Sequence, residues 1–397
     1  MPDRMPEVEN KNQPEGAGQP QRPPLRDPAR LNRTLLLCII ALMAGYFLSN
    51  RMGNVFGIGR RGAAEREFET MNTYARILVP EGSGGAMDPE ELAGMAEDAV
   101  RQINTLMSPF GEASDVRRLN AARAGEWVEV DPLTWNVVME ALRWHRLSDG
   151  AFDPTIGPIK RLFTFDQREV ETLPDAHAMA EAKSRVGADK LRFEREGMRL
   201  SWTKDGMQLD LGAIAKGYAA DRAAEVLLRH GVKNALVDIG GELRLLGQRP
   251  GNPSRPWLTG VRNPRGNDAV ERLELESAAV ATSGDYERFF MHGGRRYEHI
   301  IDPRRGMPLT EGVAAVTAIH PSSCLSADAL ATTMTVLGVE EGKAFLERQA
   351  LGLFSQGVRV IMLEVLDGGA LRRVEYVVGA DGAVTMDDSR IEAGQTR

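Results

Sequence analysis

Cysteine is nearly absent from this chain: two residues among 397, Cys38 and Cys324. Two thiols build no disulfide framework. Cys38 lies in an apolar run far along the chain from Cys324, which argues against a pair. Leu37 precedes Cys38, where a lipidation site would want a small residue. Positive charge is not in excess either. A net charge of −7 argues against the basic face that non-specific nucleic-acid binding needs. The acidic residues are scattered, so no acidic tail is implied. The turn DLGAIAKGYAAD has neither the G-x-x-x-x-G-K-[ST] nor the G-x-G-x-x-G spacing, and the G-x-S-x-G elbow is missing. No repeat of fixed period occurs. What remains is a hydrophobic content of 42%, enough for a real core in one large domain or two medium ones.

Residues 1–33 are rich in Pro, Gly, Gln and Arg and read as a disordered polar arm. Residues 34–48, TLLLCIIALMAGYFL, carry no charge. That run is shorter than the ~20 residues that span a bilayer comfortably. It fits the apolar region of a signal sequence or a short signal anchor, assigned to 34–50, and no cleavage site follows closely. A buried core helix is the other reading, opposed by the arm before it and the Gly/Arg linker, 51–66, after it. Arginines flank the run on both sides, which weakens any orientation rule.

The folded region is expected over 67–380, followed by a tail, 381–397. MNTYARILV alternates like a strand. Helical spacing marks 89–107, 131–147, with Asp131-Pro132 at its start, and 214–230, with Gly231 placed to end it. A helix is expected over 178–186 and a hairpin in LRFEREGMRLSW. Short strands follow, among them NALVDIGGEL, AAVATSG and VAAVTAI. Two helices, SADALATTMTVLG and EEGKAFLERQ, precede a last strand pair around Asp367-Gly368-Gly369. Mixed helices and antiparallel-looking strands make this an α+β chain.

Five stretches carry residue types that do chemistry. In DLGAIAKGYAAD, Gly212, Gly217 and the amides at the helix start could approach a phosphate, with Lys216 adding a point charge. It could equally be a turn that lets a helix pack on a strand. In SADALATTMTVLG, Asp328 and Thr332 are four apart and share a helix face. Both are hard oxygen donors that suit Mg²⁺, in first turns whose amides favour phosphate. The alternative is an acid stabilising a helix start. In YEHIIDPRRGMP, His299 can exchange a proton near neutral pH or be structural. GAFDPTIGP offers Phe152 for stacking and Asp153 as an acceptor, or is a stiff turn. AVATSGDYERFF offers the Ser283 hydroxyl and Gly284, with no base that sequence can place.

Taken together and in order, these stretches resemble the FAD:protein FMN transferase family, also called ApbE, from about Met71 to Leu351. The resemblance implies an α+β fold, largely antiparallel, in two lobes with FAD in the cleft. It implies transfer of FMN from FAD to a threonine of an acceptor protein, with AMP released and Mg²⁺ required. By matching position, Asp328 and Thr332 would be side-chain metal ligands and Ala213 would supply a backbone carbonyl. Ala151, Phe152, Asp153, Asp210, Lys216, Met71 and Ile300 would contact FAD. Phe110 stands where many members have tyrosine. His299 is the first candidate base and Asp328 its rival. The expected location is membrane-anchored, on the periplasmic side of a bacterial inner membrane. The family's acceptor pattern, D-x-x-[ST]-[GA]-[AS]-T, has no match in the chain, so modification is expected in trans. Two readings compete: a metal-dependent FAD pyrophosphatase and a non-catalytic flavin carrier.

Overall fold

The computed structural model describes residues 63–392, apart from 85–86, 167, 252 and 311. The expected arm and anchor, almost all of the linker, and Cys38 lie outside the described residues. At the centre is a nine-stranded sheet. Its strands are β1 (Ala64–Thr70), β2 (Thr73–Val79), β3 (Ala235–Ile239), β4 (Glu242–Leu246), β5 (Ala279–Gly284), β6 (Val313–His320), β7 (Val358–Val365), β8 (Leu371–Val378) and β9 (Val384–Ile391). Spatial order follows chain order, and every neighbouring pair is antiparallel.

Side chains alternate across a strand, and both faces of this sheet are covered. Val358, Val360 and Met362 of β7 join the core on one face, while Ile361 and Leu363 join the core on the other. The second face is packed by the hairpin of Trp257–Arg262 and Ala269–Leu275. Double coverage explains why VAAVTAI shows no polar alternation: all eight residues of β6 are buried.

Four long helices are α1 (Pro89–Met107), α2 (Pro132–Leu147), α3 (Ala215–Arg229) and α4 (Cys324–Gln349). The Asp88 carboxylate accepts from the Glu90 amide at 2.8 Å and Pro89 opens α1, a start that proline tolerates. Ala219, Ala220, Ala223 and Ala224 of α3 are all buried. Their small size lets α3 lie close to α1, α4 and the sheet. The two helices expected in the C-terminal third are consecutive stretches of α4, broken at Gly338 (φ 69°, ψ −171°).

Two expectations need correction. β1 begins inside the segment read as linker, and β9 occupies much of the segment read as tail. β9 pairs with β8 along its whole length. Its sequence, VTMDDSRI, is polar because it is an edge strand whose acids face the arginines of β8: Arg372 to Asp388 at 2.9 Å and Arg373 to Asp387 at 3.1 Å. Charged edges also block unwanted pairing. The described residues belong to one compact unit. Beside the main core lies a satellite aromatic cluster of Phe163, Phe165, Phe290 and Tyr297, with Phe290 stacked on Tyr297 at 4.9 Å.

Arg373 is 3% exposed and holds Glu271 at 2.7 Å and Glu375 at 2.8 Å. Arg373→Ala leaves buried carboxylates short of a partner and is expected to cost about 3 kcal/mol in urea unfolding. Arg373→Lys should recover less than half, since a point charge lacks the planar fork. A loss below about 0.5 kcal/mol, the scale of a surface substitution, would show that Arg359, which also pairs with Glu375 at 2.5 Å and lies 3.9 Å from Glu271, compensates alone.

Candidate active site

The site begins where α3 crosses the start of α4. A Cβ on Gly217 would lie 2.2 Å from the Cys324 carbonyl oxygen and 2.9 Å from the Asp328 Cβ. Only glycine lets the helices approach this closely. Gly217 is the third residue of α3, so its amide has no partner within the helix. That N–H donates to Asp328 Oδ2 at 3.0 Å. Asp328 is 4% exposed. Burial raises its carboxyl pKa, and the Lys216 charge and the Gly217 bond act against that rise.

Lys216 forms an ion pair with Glu242. Burial opposes charge on the lysine, but Glu242 and Asp328 outweigh it and hold the ammonium protonated. Glu242 opens β4 after the turn Gly240-Gly241. Gly240 has φ 66° and packs so tightly on Thr73 that a Cβ would sit 2.3 Å from its hydroxyl. The partly buried Met71 is therefore beside this turn, in the left-handed tip (φ 50°) that joins β1 to β2. One oxygen of Glu242, Oε2, is buried with no hydrogen-bond partner.

One turn beyond Asp328, Thr332 Oγ1 lies 3.3 Å from Ser283 Oγ. The 210–214 turn, which contains Ala213, leads into α3. Asp210 Oδ1 accepts from the Gly212 amide at 2.8 Å, and Oδ2 meets Lys160 Nζ at 2.8 Å. Burial would raise the Asp210 carboxyl; Lys160, the Gly212 bond and the nearby His299 overcome it and hold the carboxyl below its ordinary value. His299 Nδ1 lies 3.2 Å from the Arg288 carbonyl. A carbonyl only accepts, so Nδ1 carries the proton and Nε2 keeps its lone pair. Burial first, then the Lys160 charge, lowers His299 to about 4.

Other expected contacts are placed differently. Phe152 is 4% exposed, with its ring 6.5 Å from that of Trp144. It belongs to the core and is not free to stack on a ligand. Asp153 is engaged within its own loop. Oδ1 accepts from the Thr155 amide at 2.7 Å and its hydroxyl at 2.6 Å, and Oδ2 lies 3.4 Å from His145. Ala151 and Ile300 do come together, packed with Val336 of α4. Phe110 is 76% exposed, apart from the buried members. The first amides of α4 are not open to phosphate: Asp221 accepts from Cys324 at 2.8 Å and from Leu325 at 3.0 Å. Ser323 Oγ takes the Ser326 amide at 3.1 Å.

Asp328, Thr332 and the Ala213 carbonyl offer oxygen donors of the kind hard divalent cations prefer. The orphan Glu242 Oε2 and two carboxylates around one lysine also fit a cation. Among the described residues no group of three or more His, Cys, Asp or Glu could hold a metal, so hydroxyl and carbonyl donors would have to complete the set. Sequence reasoning passed over Glu242 and Lys160. A Gly-Gly-Glu turn following a buried strand was the available signal for the first; the second had none.

The family model described as the ApbE family matches residues 71–354. The FAD:protein FMN transferase of Vibrio cholerae is 34% identical over 303 residues, covering 76% of this chain and 87% of its own length. The solved structure of the flavin transferase ApbE from Vibrio cholerae has a TM-score of 0.68 at 31% identity, over 80% of this chain and 97% of that one. The apbE protein of Thermotoga maritima has a TM-score of 0.66 at 35% identity, over 78% and 96%.

Gly217→Ala tests the crossing by its sign. At an unconstrained helix position alanine stabilises by up to ~1 kcal/mol; here it should destabilise by about 2 kcal/mol through overpacking, read by urea unfolding. His320 gives a pH test. Its Nδ1 accepts from the Ser322 and Ser323 amides at 3.1 and 3.0 Å. Burial, then Arg244, lowers it from 6.5 to about 4. Between those values the unfolded chain binds the proton and the folded one does not. The stabilisation is therefore full above pH 6.5 and is lost as pH falls towards 4. His320→Asn keeps an acceptor and removes the titration. Between pH 7 and 5 the unaltered protein should lose on the order of 2 kcal/mol more stability than the variant; equal losses would contradict this.

Proposed function

The chain belongs to the ApbE family and is an FAD:protein FMN transferase, and we propose that it moves FMN from FAD to a threonine hydroxyl of an acceptor protein with the help of Mg²⁺. The observation that carries this reading is the 3.0 Å contact between Asp328 and the Gly217 amide. It joins the acid of α4 to the first turn of α3, which bears Lys216 and follows the turn that holds Asp210 and Ala213. Asp328, Thr332 and the Ala213 carbonyl are the residues that would hold the ion, against the FAD pyrophosphate. Bound there, Mg²⁺ would spread the developing charge and make AMP a better leaving group.

The protein's own groups do the rest. Lys216 and Lys160 supply positive charge beside the pyrophosphate. Backbone of the Ala151–Asp153 loop, together with Ile300 and Met71, lines the space for FAD. His299, with Nδ1–H tied to Arg288, offers Nε2 to the acceptor hydroxyl. The threonine oxygen bonds to the FMN phosphorus, its proton passes to His299, and the pyrophosphate P–O bond breaks to release AMP. The chain lacks the acceptor pattern, so the acceptor is a separate protein. An anchor over 34–50 would hold the enzyme beside membrane-bound acceptors on the periplasmic side and raise their effective concentration.

The experiment combines enzyme, FAD, Mg²⁺ and a threonine acceptor, followed by intact mass of the acceptor. Asp328→Ala should abolish transfer. His299→Ala should slow it by ~10²–10⁴ while FAD still binds. Normal flavinylation by the Asp328 variant would overturn the metal assignment, and FMN released free in the presence of acceptor would make the enzyme a pyrophosphatase.

A further inference from the structure

We propose that Asp221 is a positioning residue for this reaction: its carboxylate locks the start of α4 onto α3 and so sets where Asp328 meets Gly217. This role deepens the transferase reading and rests on its assignment of Asp328 to the cation.

Asp221 lies one helical turn after Gly217 on the same face of α3, because residues four apart in a helix are neighbours. Cys324 stands in the same relation to Asp328 on α4. The two helices meet in reverse order, Gly217 on Asp328 and Asp221 on Cys324. The first contact is the Gly217 amide donating to Asp328 Oδ2 at 3.0 Å. The second is broader. Asp221 Oδ1 accepts from the Cys324 amide at 2.8 Å, while Oδ2 accepts from the Leu325 amide at 3.0 Å and the Ser323 hydroxyl at 3.3 Å. Amides at a helix start have no partner within their own helix, so Asp221 supplies from α3 what α4 lacks. Cys324 also bears the carbonyl that excludes a Cβ from Gly217, and one residue thus takes part in both contacts.

A strand joins the same arrangement. Asp221 Oδ1 lies 3.3 Å from Arg244 Nε. Arg244 is itself buried, and its Nη1 donates to the Leu245 and Ala278 carbonyls, both at 3.3 Å. Arg244 and Glu242 are two apart in β4 and share a face of the sheet. Glu242 is the partner of Lys216. The three elements α3, α4 and β4 are therefore tied twice. Lys216, Glu242, Gly217 and Asp328 make one tie at the site, and Asp221, Arg244 and the α4 amides make another one turn away. A single contact lets one helix pivot on another, whereas two fix the crossing. Asp221 holds backbone amides, Ser323 and Arg244. It acts on the chemistry only through the placement of Asp328.

The test compares Asp221→Asn, Asp221→Ala and Ser323→Ala with the unaltered protein. Two variants at Asp221 are used so that one poorly folded protein does not decide the matter. Ser323→Ala removes the cap on the Ser326 amide and weakens the start of α4 while leaving Asp221 in place. Amide hydrogen exchange at Gly217, read by NMR in FAD-free protein, reports the crossing. It is measured relative to the slowest amides of β6, which report global unfolding. In both Asp221 variants the Gly217 amide should exchange at least about tenfold faster on that scale, as expected of a local opening. Affinity for Mn²⁺, read from the electron paramagnetic resonance signal of the free ion, should fall by ~10-fold or more, the scale for groups that orient metal ligands. The kcat for FMN transfer should fall by ~10–100-fold, as for a small misplacement of reacting groups, with KM for FAD changed by less than about threefold. Ser323→Ala should keep Gly217 exchange, Mn²⁺ affinity and kcat within about twofold, the size of a surface change. Unchanged Gly217 exchange in both Asp221 variants would overturn the proposal. So would an equal acceleration in Ser323→Ala, or Mn²⁺ affinity and kcat that stay at their original values. If Gly217 exchange rises but the unaltered protein binds no Mn²⁺ and flavinylates no acceptor, the tie between the helices stands and the transferase reading falls.

Discussion

One hydrogen bond organises this molecule: the Asp328 carboxylate receiving the Gly217 amide across the α3–α4 crossing. It exists because glycine removes the Cβ that would strike the Cys324 carbonyl. It matters because the amide would otherwise be an orphan donor at a buried helix start, an expensive group to leave unpaired. The same bond fixes an acid of one helix against the turn that opens another. Every candidate ligand for a cation, and the lysine beside them, is positioned from that crossing.

Around it each buried carboxylate has a lysine beside it, which overcomes burial at Asp210 but only offsets it in part at Asp328 and Glu242, whose carboxyls stay raised. Lys216 is shared by Glu242 and Asp328, and Lys160 is held by Asp210. Each carboxylate would be pushed toward its protonated form by desolvation, and each is opposed by a lysine within reach. The helix starts are capped internally, by Asp328 for α3 and by Asp221 and Ser323 for α4. The Gly217 amide of α3 and the first amides of α4 are therefore taken by side chains rather than left open.

Much of the architecture was legible in local pattern. Proline and capping residues marked the start of α2, and Gly338 divided the stretches of α4 as expected. Asp328 and Thr332 were visible as one helix face from their spacing. Other features were hidden because their cause lies elsewhere in the chain. Nothing local marks VTMDDSRI as a strand, since its acids are satisfied by arginines of β8. Phe152 looks like a stacking residue until Trp144 fills the space beside it.

The sequence by itself determined the fold class, the long helices and the family, because those depend on periodicity, turn chemistry and the order of short motifs. Only the tertiary structure decided which charge meets which. Gly217 and Asp328 are 111 positions apart and Lys160 and Asp210 are 50 apart. No local propensity encodes such pairings. They follow from helices and strands packed so that each buried polar group finds a partner at hydrogen-bond distance.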